Sequence, residues 1–286
     1  MHFTFDIPSS AAKEIPAELL LPASRHNVTF PIGIILTHGA VGTHRTPHLD
    51  MLAQVLAEEG LPVLRFTNCG NIHGRTRAYR HVVDFCTLDA GRLLKAATTD
   101  VSVRTWIFAG RSFGSRIASI LGEQSRGQCL GTLLISFPIL SSKDDGTKEQ
   151  VDDEDGRLSL LLNSQARALV VVGSKDKLCP IEMLDPAIAH KQNIDLIVID
   201  GGNHSLNMEL PLARMLAQAI AEWCREIYAA ELSPPPAQRP VLRGLLSMVQ
   251  SETGGEREPQ LSWDVDLLDI SSRQKRKRSR GDRIIS

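Results

Sequence analysis

Three residues of this chain suit nucleophilic acyl transfer by their type and their setting: Ser112, Asp176 and His204. Ser112 lies in Gly110-Arg111-Ser112-Phe113-Gly114, where a glycine on each side, two positions away, removes the side chains that would clash in a very sharp turn. A serine hydroxyl is a weak nucleophile at neutral pH. It needs an imidazole to take its proton and a carboxylate to hold that imidazole in one tautomer. His204, in Gly201-Gly202-Asn203-His204-Ser205, and Asp176, in Gly173-Ser174-Lys175-Asp176, supply both. Asp200 stands so close to His204 in sequence that a turn-forming role suits it better, and Asp185 has weaker positional support as the acid. The charge that develops in acyl transfer also needs N–H donors. Phe113, directly after the serine, offers one, and Ala40 or Val41, in the loop His38-Gly39-Ala40-Val41-Gly42, offers the second; His38 is read as fixing that loop. The substrate class is a small acyl compound, an ester, thioester or amide, and the chemistry calls for no metal and no cofactor.

The elements that must position these groups are legible as alternating apolar runs and helical periods. Thr105 to Ala109 reads as a strand that feeds the Gly110 turn, and Phe113 to Gln124 as the helix that leaves it. Ala168 to Val172 precedes Asp176, and Ile194 to Ile199 precedes His204. Parallel strands present their C-terminal ends along one edge of a sheet, so three residues that each follow a strand can converge there. Each of the three has a plainer reading, as a helix-start serine, a surface turn aspartate and a capping histidine. Their shared placement favours the chemical one. Further strands are expected at Ile32 to Thr37, Pro62 to Thr67 and Thr132 to Phe137, with an edge hairpin from Phe3 to Ile7 and Ala17 to Leu21. Helices are expected from Thr46-Pro47 to Glu59, from Thr76 to Thr98 and from Leu210 to Ala229. This pattern predicts an α/β fold with a mostly parallel central sheet and helices on both faces.

Composition narrows the alternatives. With 286 residues, 42% of them hydrophobic, the chain can bury one large core. Its 32 basic and 33 acidic residues leave a net charge of -1, which gives the core no field to attract nucleic acid or an anionic membrane. Five scattered cysteines without a Cys-x-x-Cys pair argue against a disulfide framework or a zinc site, and Cys179 reads as a core residue. His44, His48, His73 and His81 do not form a metal pattern. No secretory leader or membrane span is apparent, so the expected setting is the cytoplasm or nucleus. Arg65 and Arg111 lie near the strand edge and can either bind an acidic substrate group or fix loops.

Two segments stand outside this pattern. Ser141 to Arg157, with Asp152-Asp153-Glu154-Asp155, is too polar to bury and reads as a solvated insertion, short for a lid. After Ala230 the composition shifts at Pro234-Pro235-Pro236, so the domain is expected to span residues 1–231 and a low-complexity, disordered tail residues 232–286. The tail carries a basic run, Arg273 to Arg280, suited to nuclear import or to phosphates, and Trp263 to Ile270 alternates acidic and apolar groups as docking peptides do.

Several strings resemble one family: Ile34-Ile35-Leu36-Thr37-His38-Gly39-Ala40, Pro47-His48-Leu49, Leu64-Arg65-Phe66-Thr67, Gly110-Arg111-Ser112 with Gly114-Ser115-Arg116, and Asn203-His204-Ser205. They are similar to the α/β-hydrolase-like group, related to dienelactone hydrolases, that joins a testis-expressed protein with the third subunit of the NSL histone-acetyltransferase complex. The resemblance runs from about Pro31 to Tyr228. It implies an α/β-hydrolase fold with a minimal lid and carries Ser112, Asp176 and His204 onto the family's catalytic positions. Two functions then stand open. One is a serine hydrolase; the other is a catalytically silent interaction module that works through its tail with a nuclear protein partner.

Overall fold

Strands that are apolar at consecutive positions need cover on both faces. The computed structural model, which describes residues 1–9, 14–22, 31–88, 103–141, 156–232, 241–250 and 257–263, provides it with one ten-stranded sheet between two layers of helices. The strands are β1 (His2–Ile7), β2 (Ile15–Leu20), β3 (Ile32–Thr37), β4 (Val63–Phe66), β5 (Thr105–Arg111), β6 (Cys129–Ile135), β7 (Ala168–Gly173), β8 (Ile194–Ile199), β9 (Arg243–Gln250) and β10 (Arg257–Trp263). Their order across the sheet is β1-β2-β4-β3-β5-β6-β7-β8-β9-β10. The run from β4 to β9 is parallel throughout, with the antiparallel β1 and β2 at one edge and the antiparallel β10 at the other.

Alternation along each strand divides its side chains between the two layers. Ile35, Phe108, Leu134, Val170 and Val198 join one core with α2 (Ile72–Leu88), α3 (Phe113–Gln124), α4 (Arg157–Leu162) and α5 (Ile181–Ile188). Ile34, Ala109, Leu133, Val171 and Ile197 join the other with α1 (Pro47–Glu58) and α6 (Leu210–Leu232). This is the α/β-hydrolase architecture expected from the sequence. No helix among the described residues is long and apolar enough to cross a membrane.

The site-forming feature of the topology is the reversal at β3. From β3 the chain passes through α1 to β4 on one side, and then through α2 to β5 on the other. Loops that leave β3 and β5 therefore diverge to opposite faces and open a crevice at the C-terminal edge. Tyr79 of α2 ties the two strands together below it. Its buried hydroxyl donates to the Ile35 carbonyl at 2.6 Å and accepts the Ala109 N–H at 2.9 Å.

Some expectations need adjustment, and others lie outside the described residues. Helix α2 starts one turn earlier than expected, at Ile72, and the stretch 89–98 assigned to its end lies outside the described residues. Two short helices, α4 and α5, went unpredicted; α5 carries Pro186 inside it, a signal that ordinarily argues against a helix. Most of the acidic insertion, 142–155, lies outside the described residues. The boundary at 231 coincides with the end of α6, but the sheet continues beyond it. Strand β9 pairs in parallel with β8, and β10 returns antiparallel to β9. Leu246 enters the core beside α6, and the Trp263 ring covers Gly244, so Trp263 closes a hairpin instead of opening a docking peptide. The basic run 273–280 lies outside the described residues.

An ion cluster fastens the antiparallel edge to the parallel sheet. Glu18 of β2, only 2% exposed, meets Arg65 of β4 at 2.5 Å and Arg45 at 2.7 Å, with His44 at 3.7 Å; Arg65 reaches on to Asp50 at 2.5 Å. Burial alone would raise the Glu18 carboxyl, but Arg65, with His44 and Arg45, outweighs it and holds the group below the usual carboxylate range. Arg65 is thus occupied within the sheet and does not offer a substrate site.

Two outcomes are expected. Leu246→Ala should destabilise the domain by about 2–5 kcal/mol, the usual cost of a fully buried leucine, as read by denaturant unfolding; a change within about 0.5 kcal/mol would return residues 241–263 to the status of a detached tail. The folded Glu18 value lies below its unfolded value of about 4.5, so this group stabilises above that pH, and the contribution is lost as pH falls through the folded value. Glu18→Gln should therefore lower the melting temperature at pH 7 and flatten its decline below about pH 4.5. An unaltered decline would assign the acid limb to other carboxylates.

Candidate active site

The chain enters the site through a backbone conformation that few residues accept. Between β5 and α3, Ser112 adopts φ 52° and ψ -118°. A Cβ on Gly110 would come within 2.2 Å of the Gly114 carbonyl oxygen, and one on Gly114 within 2.5 Å of the His38 carbonyl oxygen. Both glycines are therefore fixed by close backbone approach, as their spacing predicts. The strained turn is held from both sides: the Ser112 N–H donates to the Ile135 carbonyl at 2.8 Å, and the Ser115 hydroxyl donates to the Ser112 carbonyl at 2.6 Å. Among the described residues, the other non-glycine residues with positive φ are Ser136 and Leu206, after β6 and in the loop that follows β8. All three lie at the C-terminal edge of the sheet, where strain of this kind commonly accompanies function.

Ser112, Asp176 and His204 meet at this edge. The Ser112 Oγ lies 2.8 Å from His204 Nε2. On the far side of the ring, Nδ1 lies 3.0 and 2.9 Å from the two Asp176 carboxylate oxygens. The carboxylate accepts a proton held on Nδ1, which leaves the Nε2 lone pair to accept the serine O–H. The Asp176 side chain is fully buried while the His204 side chain remains 26% exposed, so the acid is shielded and the imidazole is open to the crevice.

Each loop has its own support. Asp176 Oδ1 accepts the Leu178 N–H at 2.9 Å, which closes a tight turn around the carboxylate. The loops after β7 and β8 come together through Gly173 and Gly202, and the Lys175 N–H donates to the Gly202 carbonyl at 2.8 Å. Asp200 accepts from the Ser174 hydroxyl at 3.3 Å, and Asp185 pairs with Arg243 of β9 at 3.5 Å, so both rival acids are engaged away from His204. Arg111 donates from Nη2 to the His204 carbonyl at 2.9 Å and fixes the histidine loop from the serine side.

The second wall of the crevice is the loop after β3. Gly39 abuts Ser112, as a Cβ there would stand 3.4 Å from the serine Cβ. His38 fixes this loop as expected, its Nε2 accepting the Asn68 N–H at 2.9 Å. His44 holds the return, its Nδ1 lying 2.6 Å from the Thr67 hydroxyl. Arg75 of α2 went unnoticed in the sequence. It is 4% exposed and donates to the Gly70 carbonyl at 3.1 Å, to Gly39 at 2.7 Å and to Ala40 at 2.8 Å. Ala40 and Val41 are exposed, and Phe113 is the first residue of α3, where a helix leaves N–H groups without intrahelical partners.

Electrostatics separates the imidazoles. Burial, aided by the Arg75 charge, pushes His38 down, and burial with Arg111 brings His48 to about 4. Both are neutral at pH 7, and His204 is the imidazole in contact with Ser112. Cys179, as expected, is a core residue; burial raises its thiol well above the ordinary value. Among the described residues no cluster of histidine, cysteine and carboxylate side chains has the makings of a metal site.

Comparison with solved structures returns the same architecture. The chain is similar to Est1E from Butyrivibrio proteoclasticus, with 18% identity over 79% of this chain and 99% of that one and a TM-score of 0.59. It is also similar to a dienelactone hydrolase from Anabaena variabilis, with 18% identity, coverage of 79% and 97% and a TM-score of 0.58. An alpha-beta serine hydrolase homologue from Coxiella burnetii matches with 17% identity, coverage of 78% and 96% and a TM-score of 0.54. At these identities the likeness speaks for the fold. The family model described as an alpha/beta hydrolase domain matches residues 31–230, from just before β3 to near the end of α6, and the chain belongs to that family.

Proposed function

We propose that this protein is a serine hydrolase that cleaves a small ester, thioester or amide through an acyl-enzyme. The observation that carries this reading is the continuous chain of contacts from Ser112 Oγ through His204 to the buried Asp176 carboxylate, each at 2.8–3.0 Å. Ser112 attacks the acyl carbon while His204 takes its proton on Nε2, and Asp176 keeps the Nδ1 proton in place and stabilises the imidazolium. The carbonyl oxygen becomes an oxyanion between the N–H groups of Phe113 and of Ala40 or Val41. As the tetrahedral intermediate collapses, His204 returns the proton to the leaving alcohol, thiol or amine. Water, deprotonated by His204, then attacks the acyl-enzyme, and as the bond to Ser112 Oγ breaks His204 returns that proton to the serine and the acid leaves. Membership of the alpha/beta hydrolase domain family agrees with this chemistry, as do the dienelactone hydrolase and serine hydrolase descriptions of its structural neighbours.

The Gly110-Arg111-Ser112 and Asn203-His204-Ser205 strings further assign the chain, within this proposal, to the branch shared by the testis-expressed protein and the NSL complex subunit. Nuclear partner binding through the basic run 273–280 is the second reading. Its test is removal of residues 264–286, since a cut at 231 would also strip β9 and β10 from the sheet.

The purified protein is expected to react with a fluorophosphonate probe at Ser112 and to hydrolyse short p-nitrophenyl esters. Ser112→Ala and His204→Ala should abolish labelling. Asp176→Asn should slow turnover by roughly 10³- to 10⁴-fold, by analogy with loss of the orienting acid elsewhere. Labelling that survives Ser112→Ala, or a wild type that neither labels nor turns over, contradicts the proposal. For the second reading, deletion of residues 264–286 should abolish capture by nuclear import receptor and leave the melting temperature unchanged; undiminished capture removes it.

A further inference from the structure

We infer that Arg75 is a positioning residue for the oxyanion site: it sets the backbone orientation of the Gly39–Val41 loop and strengthens its donors. This rests on the serine-hydrolase reading of the same site. Arg75 is a buried cation, and no carboxylate among the described residues pairs with it. Its partners are the carbonyls of Gly39, Ala40 and Gly70. A buried guanidinium without a counter-ion is costly, and burial does draw its proton affinity down. Something must favour its retention.

The geometry supplies a reason. In a trans peptide the C=O and N–H point to opposite sides. With the Gly39 and Ala40 carbonyls both bound to the Arg75 fork, the N–H groups of Ala40 and Val41 face away from it. A flip of either peptide would turn a carbonyl toward a developing oxyanion and break a charge-assisted hydrogen bond. Arg75 also polarises both peptides, because a carbonyl that accepts a hydrogen bond makes the N–H across the same amide a stronger donor. The guanidinium centre lies 5.0 Å from the centroid of the Phe113 ring, on the residue that carries the other proposed donor, and the Asn68 amide holds the Arg75 backbone by donating to its carbonyl at 3.0 Å. One side chain thus spans both halves of the oxyanion site. Lysine, a single point charge, does not reproduce the two-carbonyl fork.

The test compares wild type, Arg75→Lys and Arg75→Gln, each checked by melting temperature to be folded at the assay temperature. The readouts are kcat and KM for p-nitrophenyl acetate, the rate of fluorophosphonate labelling, and affinity for a trifluoromethyl ketone, which forms a tetrahedral adduct. Removal of a whole oxyanion donor costs about 10²–10³-fold in kcat, and misorientation of one should cost roughly 10–100-fold. The expected pattern is a fall in kcat with little change in KM, an equal loss in labelling rate and in ketone affinity, and a deficit as large in Arg75→Lys as in Arg75→Gln. If folded variants label and turn over as wild type does, or if KM alone changes, Arg75 is only a structural tie and the inference falls while the serine-hydrolase reading stands. A wild type that neither labels nor turns over removes both. Should Arg75→Gln not fold, Arg75→Lys, which keeps the charge, decides the matter.

Discussion

The left-handed backbone at Ser112 is the constraint on which the rest of the site depends. A non-glycine residue at φ 52° and ψ -118° is unfavourable by itself and persists because its surroundings over-determine it. Strand β5 is paired on both sides, α3 starts immediately after the serine, and the Gly110 and Gly114 backbones approach each other and β3 more closely than any side chain would allow. The strain has a structural result: the hydroxyl stands clear of the strand end instead of capping the helix, and no side-chain cap bond forms there. His204 is met at hydrogen-bond distance only because the loops after β7 and β8 are themselves pinned together and to Arg111.

The crevice also depends on where the chain reverses. Because β4 and β5 lie on opposite sides of β3, the loop after β3 and the turn after β5 are neighbours that lead to helices on opposite faces. The same loop is tied at three points, by His38 to Asn68, by Arg75 to Gly39 and Ala40, and by His44 to Thr67 and the Glu18 cluster. Burial keeps His38 and His48 neutral, and the guanidinium groups of Arg75 and Arg116 both lie against the Phe113 ring beside Ser112.

Much of this was legible in the sequence because parallel strands covered on both faces write themselves as uninterrupted apolar runs. Ala168 to Val172 and Leu196 to Ile199 could be read in this way, and with them the positions just beyond, where Asp176 and His204 stand. The edges were harder. Strand β9 follows a proline-rich stretch and alternates buried with half-exposed positions, so its composition is that of a tail even though Leu246 is core. Arg75 was hidden for another reason. It shares α2 with Arg77 and Arg80, and periodicity alone does not distinguish an arginine that turns inward to carbonyl oxygens from two that face solvent. Glu18 was similarly hidden, a buried acid whose partners come from two separate segments, His44-Arg45 and Arg65.

In the proposed function the strand ends around Ser112 form one acyl-transfer site with a preset place for negative charge. The most direct measurement is a crystal structure of the protein after reaction with a small fluorophosphonate. The expected result is a phosphonyl group on Ser112 Oγ, with its oxygen at about 3 Å, ordinary hydrogen-bond distance, from the N–H groups of Phe113 and of Ala40 or Val41, and the Arg75 contacts unchanged. An adduct on another residue, or a phosphonyl oxygen turned to solvent with those N–H groups pointing elsewhere, would contradict it.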